Sequence, residues 1–186
     1  MPFESDDGLI CAMGRTEPLF LAYDGEGKLY VMDLKSGSLS VIGPDSMLEN
    51  TAAVCFSQDD AYICALSGSG KLSVIRAADG EIVYSGYPGI SKLPENERIE
   101  ADVIDEGKRL CVKIPNVSGD NARSDWFMFD TSTWDIVQHT IDVLMFNAKN
   151  RMLYIERDYT HTVACRVHTL NDLLEEARGY IEEVER

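Results

Sequence analysis

Residues 22–37 (AYDGEGKLYVMDLKSG) and 65–80 (ALSGSGKLSVIRAADG) carry one pattern twice, 43 positions apart, with Ala, Gly, Gly, Lys, Leu, Val and Gly in register. A unit of this size cannot bury an apolar face alone, so copies must stack on one another. No other feature restricts the fold as strongly. Within each copy, short runs of β-formers are bounded by Gly, Asp and Ser, the pattern of strands joined by tight turns.

Four copies can be read outward from this echo. The first predicts strands a to d at Leu9–Met13, Leu19–Tyr23, Lys28–Leu34 and Ser38–Ile42. The second predicts Ala53–Phe56, Tyr62–Leu66, Lys71–Arg76 and Glu81–Ser85. Between b and c, both place Gly-x-Gly (Gly25–Gly27 and Gly68–Gly70) where a tight hairpin requires positive φ. In the third copy, Ile99–Ile104 alternates apolar and acidic residues as a half-buried strand does. Its strand b, Leu110–Ile114, matches the first copy at an offset of 91, and its strand c, Asp125–Asp130, at 97. These offsets place about five added residues in Gly86–Arg98 and six in a hairpin around Pro115–Ser124. The fourth copy predicts Ile141–Phe146, Met152–Glu156 and Thr162–Val167, and lacks a strand d.

A period of roughly 40–45 residues with four strands is that of a β-propeller blade. The expected fold is all-β, a propeller-like array of four blades with a C-terminal α-helix. The expected layout is an N-terminal extension at 1–7, repeats at about 8–46, 51–90, 98–140 and 141–168, and the helix at 169–186. In that helix Leu170, Leu173, Leu174, Ala177, Ile181 and Val184 form one apolar stripe. Thr169 suits the N-cap, and Asp172 the positive end of the helix dipole. The stripe either packs on the last blade or meets a partner, which makes Leu173, Leu174 and Ile181 candidate contact residues.

The formal net charge of −15 repels phosphate-rich partners, which argues against nucleic acid and against anionic membrane surfaces. The longest apolar runs are far short of the ~20 residues that span a bilayer. The start MPFESDDG carries acids where a secretory signal carries Lys or Arg. Five cysteines, at 11, 55, 64, 111 and 165, sit in apolar stretches without CxxC spacing, as buried reduced thiols do. A cytoplasmic protein is expected.

The runs LFLAYDGEGKLYVMDLKSGSLSVI (19–42) and AVCFSQDDAYICALSGSGKLSVIRAADGEIV (53–83) resemble WD-repeat blades. Ser57-Gln58-Asp59-Asp60 stands in the a–b turn, and Met32-Asp33 or Phe129-Asp130 replaces the Trp-Asp that ends strand c. The Gly-His pair is absent, so the family's His-Asp-Ser/Thr-Trp network does not carry over. What the resemblance implies is a rigid platform for protein partners. Closed rings of the WD type usually need roughly six to eight blades, because wedge-shaped sheets must fill the circle around a channel. Three closures follow: a compact four-bladed ring, a homodimer completing a larger ring, or a piece of a longer propeller. A partial propeller completed by another copy or by further sequence is the favoured one.

Residues that could carry chemistry each have a plainer structural role. Ser67–Lys71 resembles the end of a phosphate loop, but Ala65 and Leu72 replace the required Gly and the Ser or Thr, and a b–c hairpin explains the segment. His161, Cys165 and His168 lie on a strand at a spacing too long for shared metal ligation. Asp24, Asp59, Asp60 and Asp105 read as turn residues, and none belongs to a calcium loop. Trp134 occupies the c–d turn position held by Gly37 and Gly80, so it either anchors a partner or packs against the 115–124 hairpin. No catalytic, cofactor or metal residue is expected. The leading expectation is a non-enzymatic protein-interaction or scaffold module using its blade loops, especially 115–124; the alternative is a propeller-based, metal-dependent hydrolase with acids at the channel.

Overall fold

The computed structural model of the chain describes residues 10–24, 28–42, 48, 50–89, 98–117, 122–158, 161–168, 172–175 and 178. They form four antiparallel sheets in which successive strands pair. The first holds β1 (Ile10–Met13), β2 (Leu19–Tyr23), β3 (Leu29–Asp33) and β4 (Leu39–Ile42). The second holds β5 (Thr51–Phe56), β6 (Tyr62–Ser67), β7 (Leu72–Arg76) and β8 (Ile82–Gly86). The third holds β9 (Glu100–Ile104), β10 (Arg109–Val117), β11 (Ala122–Asp130) and β12 (Ile136–Thr140). The fourth has three strands, β13 (Val143–Asn147), β14 (Met152–Asp158) and β15 (His161–Arg166). The expected 1–7 extension lies outside the described residues.

Repeated turn chemistry ends the strands where the sequence places them. In the c–d turns, the amides of Gly37, Gly80 and Trp134 donate to the carbonyls of Asp33, Arg76 and Asp130. All three turn residues have left-handed backbones, with φ of 72°, 74° and 62°. In the b–c hairpins, the amides of Lys28 and Lys71 donate to Asp24 Oδ1 and Ser67 Oγ, each at 3.0 Å. Ser67–Lys71 is therefore hairpin scaffolding.

The third copy departs from the sequence reading in register. Arg109 stands opposite Asp130 as Leu19 stands opposite Asp33, so strand b is offset by 90 residues, not 91. A one-residue slip moves every side chain to the other face of the sheet. Burial selects 90, because it turns Leu110, Val112 and Ile114 into the core. The inserted residues lengthen a ladder instead of a loop, with Pro115 opposite Ser124 and Val117 opposite Ala122. Pro115 lies past the last β9 pairing at Lys113–Glu100, where β10 has a neighbour on one side only and a missing N–H is tolerated.

The chain divides into two compact units, Met1–Ile141 and Asp142–Arg186. In the first, three sheets stack face to face. One core joins sheets one and two through Leu21, Tyr23, Leu29, Phe56, Ile63 and Ile75. A second joins sheets two and three through Cys64, Leu66, Leu72, Leu110, Phe127 and Phe129. Each such fully buried side chain contributes about 1.5–3 kcal/mol relative to exposure. Strand β5 lies against β1 and β9, and a parallel bridge joins Ser57 to Ala101.

In the second unit, Val143 and Leu153 are buried in the three-stranded sheet. Residues 172–175 and 178 are helical, in agreement with the expected helix; the rest of 169–186 lies outside the described residues. Arg151 holds Asp172 in a two-pronged ion pair at 2.7 and 3.0 Å, tying the helical segment to the β13–β14 turn.

Candidate functional site

The a–b turn of sheet two, Ser57–Ala61, does two jobs. Ser57 Oγ donates to Asp59 Oδ1 at 2.7 Å and accepts from the Tyr62 amide, closing the turn locally. That geometry leaves Asp60 in a left-handed conformation, φ 58°, which Asp tolerates better than most residues. Its carboxylate then reaches sheet one and accepts from the amides of Arg15, Thr16 and Glu17 and from the Thr16 hydroxyl, at 2.7–2.8 Å. Asp60 is only 7% exposed. Burial alone pushes its carboxyl up, but the hydrogen bonds from Arg15, Glu17 and Thr16 outweigh it and hold the group below its ordinary range. Gly14 is required beside this clasp: a Cβ there would lie 2.5 Å from the Glu17 carbonyl and 3.3 Å from Asp60 Oδ2.

The clasp fixes the loop that carries Arg15 to the rim of a cleft along the β1 and β5 edges. The cleft has a volume of about 330 Å³, and Met13, Arg15, Phe56, Arg98 and Ile99 are among its lining residues. Two exposed guanidiniums thus stand beside an apolar wall on a chain of net charge −15. Asp102 feels the same field: burial raises its carboxyl, and attraction to Arg15 and Lys113 offsets only part of that rise. Guanidinium groups hold carboxylates through paired, charge-assisted hydrogen bonds. The cleft thus presents two guanidinium donors beside apolar side chains.

The residues singled out in the sequence are dispersed. Trp134 is half-buried and packs edge-on against Tyr62 of sheet two, with ring centroids 5.3 Å apart. It therefore joins sheets two and three. Leu173 and Leu174 are exposed on the helical segment, while Ile181 lies outside the described residues. The hairpin tip, 118–121, lies outside them too. His161 and His168 are exposed and Cys165 half-buried. Among the described residues, no three His, Cys, Asp or Glu side chains gather as a metal site. The turn aspartates are engaged in their own turns: Asp24 accepts from the Lys28 amide, Asp59 from Ser57 and the Ala61 amide, and Asp33 from Lys35 and Ser36. Asp130, at the position matching Asp33, is lowered to about 2, chiefly by hydrogen bonds from Ser132.

Arg15 and Arg98 were not legible as a pair, since 83 positions separate them in the sequence. The only signal was their sign in an acidic chain. The reach of Asp60 into the neighbouring sheet was equally hidden, although its turn chemistry was not.

No protein-family model matches the chain, and no curated protein matches it. Solved structures do. BamB from Moraxella catarrhalis is similar with a TM-score of 0.52 and 16% identity, over 82% of this chain and 44% of that one. Hydrazine synthase from Kuenenia stuttgartiensis gives 0.51 and 12%, over 82% and 45%. The WD40 domain of Toxoplasma gondii coronin gives 0.50 and 11%, over 78% and 37%. The chain spans less than half the length of each. At these identities the likeness concerns fold alone. Four antiparallel meander sheets and these neighbours establish an all-β, propeller-type fold.

Proposed function

We propose that this chain is a non-enzymatic protein-interaction module that holds an acidic segment of a protein partner in the cleft between β1, β5 and the start of β9. The observation that carries this reading is the pairing of Arg15 and Arg98 beside the apolar wall of Met13, Phe56 and Ile99. Rigid stacked sheets hold that wall in place, and the Asp60 clasp holds the loop bearing Arg15. Pre-ordered contacts lower the entropic cost of binding. The propeller-type fold supports the same reading, as a common platform for partners. The proposal includes a cytoplasmic setting, in keeping with five free thiols.

The test is fluorescence anisotropy with a labelled Glu-rich peptide containing Leu and its Gln-for-Glu counterpart. The Glu peptide is expected to bind more tightly, with affinity falling about tenfold in Arg15→Glu or Arg98→Glu and unchanged in Lys35→Glu. Equal binding of the two peptides, or full affinity in both arginine variants, would overturn the proposal.

A further inference from the structure

Register pairs two thiols across the second sheet. Cys55 on β5 stands directly opposite Cys64 on β6, and both belong to the core shared with sheet three, so their side chains leave the same face. No other cysteine has a thiol across its ladder: Cys11 stands opposite Ala22, Cys111 opposite Met128 and Asp102, and Cys165 opposite Leu153. Opposed residues of an antiparallel pair have Cα atoms about 4.5–5.5 Å apart, inside the roughly 4.4–6.8 Å that a disulfide spans. Both thiols are free. They already share a hydrogen bond, which together with burial holds Cys64 well above the ordinary thiol range. A bond between them therefore needs side-chain rotation and no movement of the strands.

The two sulfurs differ in access. Cys64 is fully buried, on a strand flanked by β5 and β7. Cys55 is on the edge strand β5 and is among the residues lining the cleft. At about 330 Å³ the cleft holds many times the roughly 30 Å³ that one water occupies, so hydrogen peroxide has room in it. Cys11 also lines the cleft, but Ile10 and Ala12 are the β1 residues packed between sheets one and two, which places Cys11 on the other face of sheet one. Cys55 leaves sheet two on the side away from sheet one, so these two sulfurs point apart. Cys64 is the thiol within reach of Cys55. Cys111 is an internal comparison: it is 1% exposed, burial pushes its thiol up, and it has no thiol opposite.

We propose that Cys55 and Cys64 form a peroxide-reactive dithiol at the wall of the cleft, closing to a disulfide when oxidised. The sulfur of Cys55 attacks one oxygen of hydrogen peroxide: an S–O bond forms, the O–O bond breaks, and the departing hydroxide takes the Cys55 proton and leaves as water. Cys55 is thereby oxidised to a sulfenic acid, and the peroxide oxygens are reduced. The sulfur of Cys64 then attacks that of Cys55: the S–S bond forms, the S–O bond breaks, and hydroxide takes the Cys64 proton to leave as a second water. Two thiols and one peroxide thus give one disulfide and two waters. Burial of Cys64 slows this second step, whereas its place directly opposite Cys55 lets it act before a second peroxide carries Cys55 to the sulfinic acid. The chemistry uses neither Arg15 nor Arg98 and does not rest on the binding of an acidic partner.

The test treats the full native chain with excess hydrogen peroxide, alkylates the remaining thiols in denaturant and maps the products by mass spectrometry. An endoprotease that cuts beside Asp59 and Asp60 separates the two cysteines, so they travel as one species only when bonded. The expected product is a Cys55–Cys64 link, lighter by two hydrogen atoms, reversed by dithiothreitol and formed at least about tenfold faster than Cys111 is oxidised. In Cys64→Ala, Cys55 is expected to stop at a sulfenic acid that dimedone traps or to pass on to the sulfinic acid; in Cys55→Ala, Cys64 is expected to stay reduced. Oxidation of Cys55 no faster than that of Cys111 would mean that both react only when the fold opens, and overturns the proposal. So does a link from Cys55 to Cys11, an untouched Cys55 in Cys64→Ala, or undiminished oxidation of Cys64 in Cys55→Ala. If either variant loses its far-ultraviolet spectrum, the comparison of Cys55 with Cys111 decides, because both rates are read in the native chain.

Discussion

Replacing Asp60 removes one carboxylate and, with it, four hydrogen bonds between the second sheet's a–b turn and the loop after β1. Four donors converge on it at 2.7–2.8 Å, and hydrogen bonds to a charged group contribute about 1.5–3 kcal/mol each. Simple addition overstates the loss, because Arg15, Thr16 and Glu17 are exposed and water can satisfy their amides once the carboxylate is gone. Discounting for that, Asp60→Gly is expected to cost about 2–4 kcal/mol. Glycine is the informative substitution, since at φ 58° it adds no backbone strain. Asp60→Ala adds about 1 kcal/mol more for its left-handed Cβ. Asp60→Asn, which retains one acceptor oxygen and tolerates the conformation, is expected to lose about 1–2 kcal/mol. Urea unfolding followed by circular dichroism measures the series, and amide exchange at Thr16 and Glu17 reports the clasp locally.

The pH dependence supplies an independent check. The folded carboxyl of Asp60 lies below its unfolded value, so its contribution is complete above the unfolded pKa of about 3.9 and disappears as pH falls through the lower folded value. The stability gap between native chain and Asp60→Asn should therefore be constant near neutrality and narrow below about pH 4. A loss under about 0.5 kcal/mol in Asp60→Gly, or an unchanged gap in acid, would refute the clasp as a stabilising contact.

Two further perturbations probe other parts of the fold. Trp134 combines a strained left-handed backbone with packing on Tyr62, so both Trp134→Ala and Trp134→Gly lose ring contact, about 1–2 kcal/mol, but glycine recovers about 1 kcal/mol of strain. Alanine should be the less stable of the two in urea titrations; the reverse order would show that the backbone there is relaxed. Calcium or zinc should leave the melting temperature unchanged, since a resident-metal site would raise it by mass action. A rise that saturates with either ion would favour the hydrolase alternative over the interaction module.

Much of the fold was legible because its determinants are local. Strand runs, the Gly and Asp of the turns and the 43-residue echo are fixed by residues a few positions apart. What local pattern leaves open is which face of a strand meets which neighbour. Strand β10 shows this: Leu110–Ile114 reads as a strand under either offset, and only the need to bury Leu110, Val112 and Ile114 against sheet two selects 90 over 91. The helix expected at 169–186 was visible from its stripe and agrees with the described helical residues, whereas the ion pair of Asp172 with Arg151 spans 21 positions and was not readable.

The candidate site was less visible for the same reason. Asp60 was recognisable as a turn residue, but the three amides it holds belong to another repeat. Arg15 and Arg98 become neighbours only when the first three repeats stack. The sequence by itself determined that this chain makes four repeated antiparallel sheets, since strand and turn preferences act over a few residues. Tertiary structure alone decided which apolar faces of the first three sheets pack on one another, because burial depends on contacts between sheets more than forty residues apart.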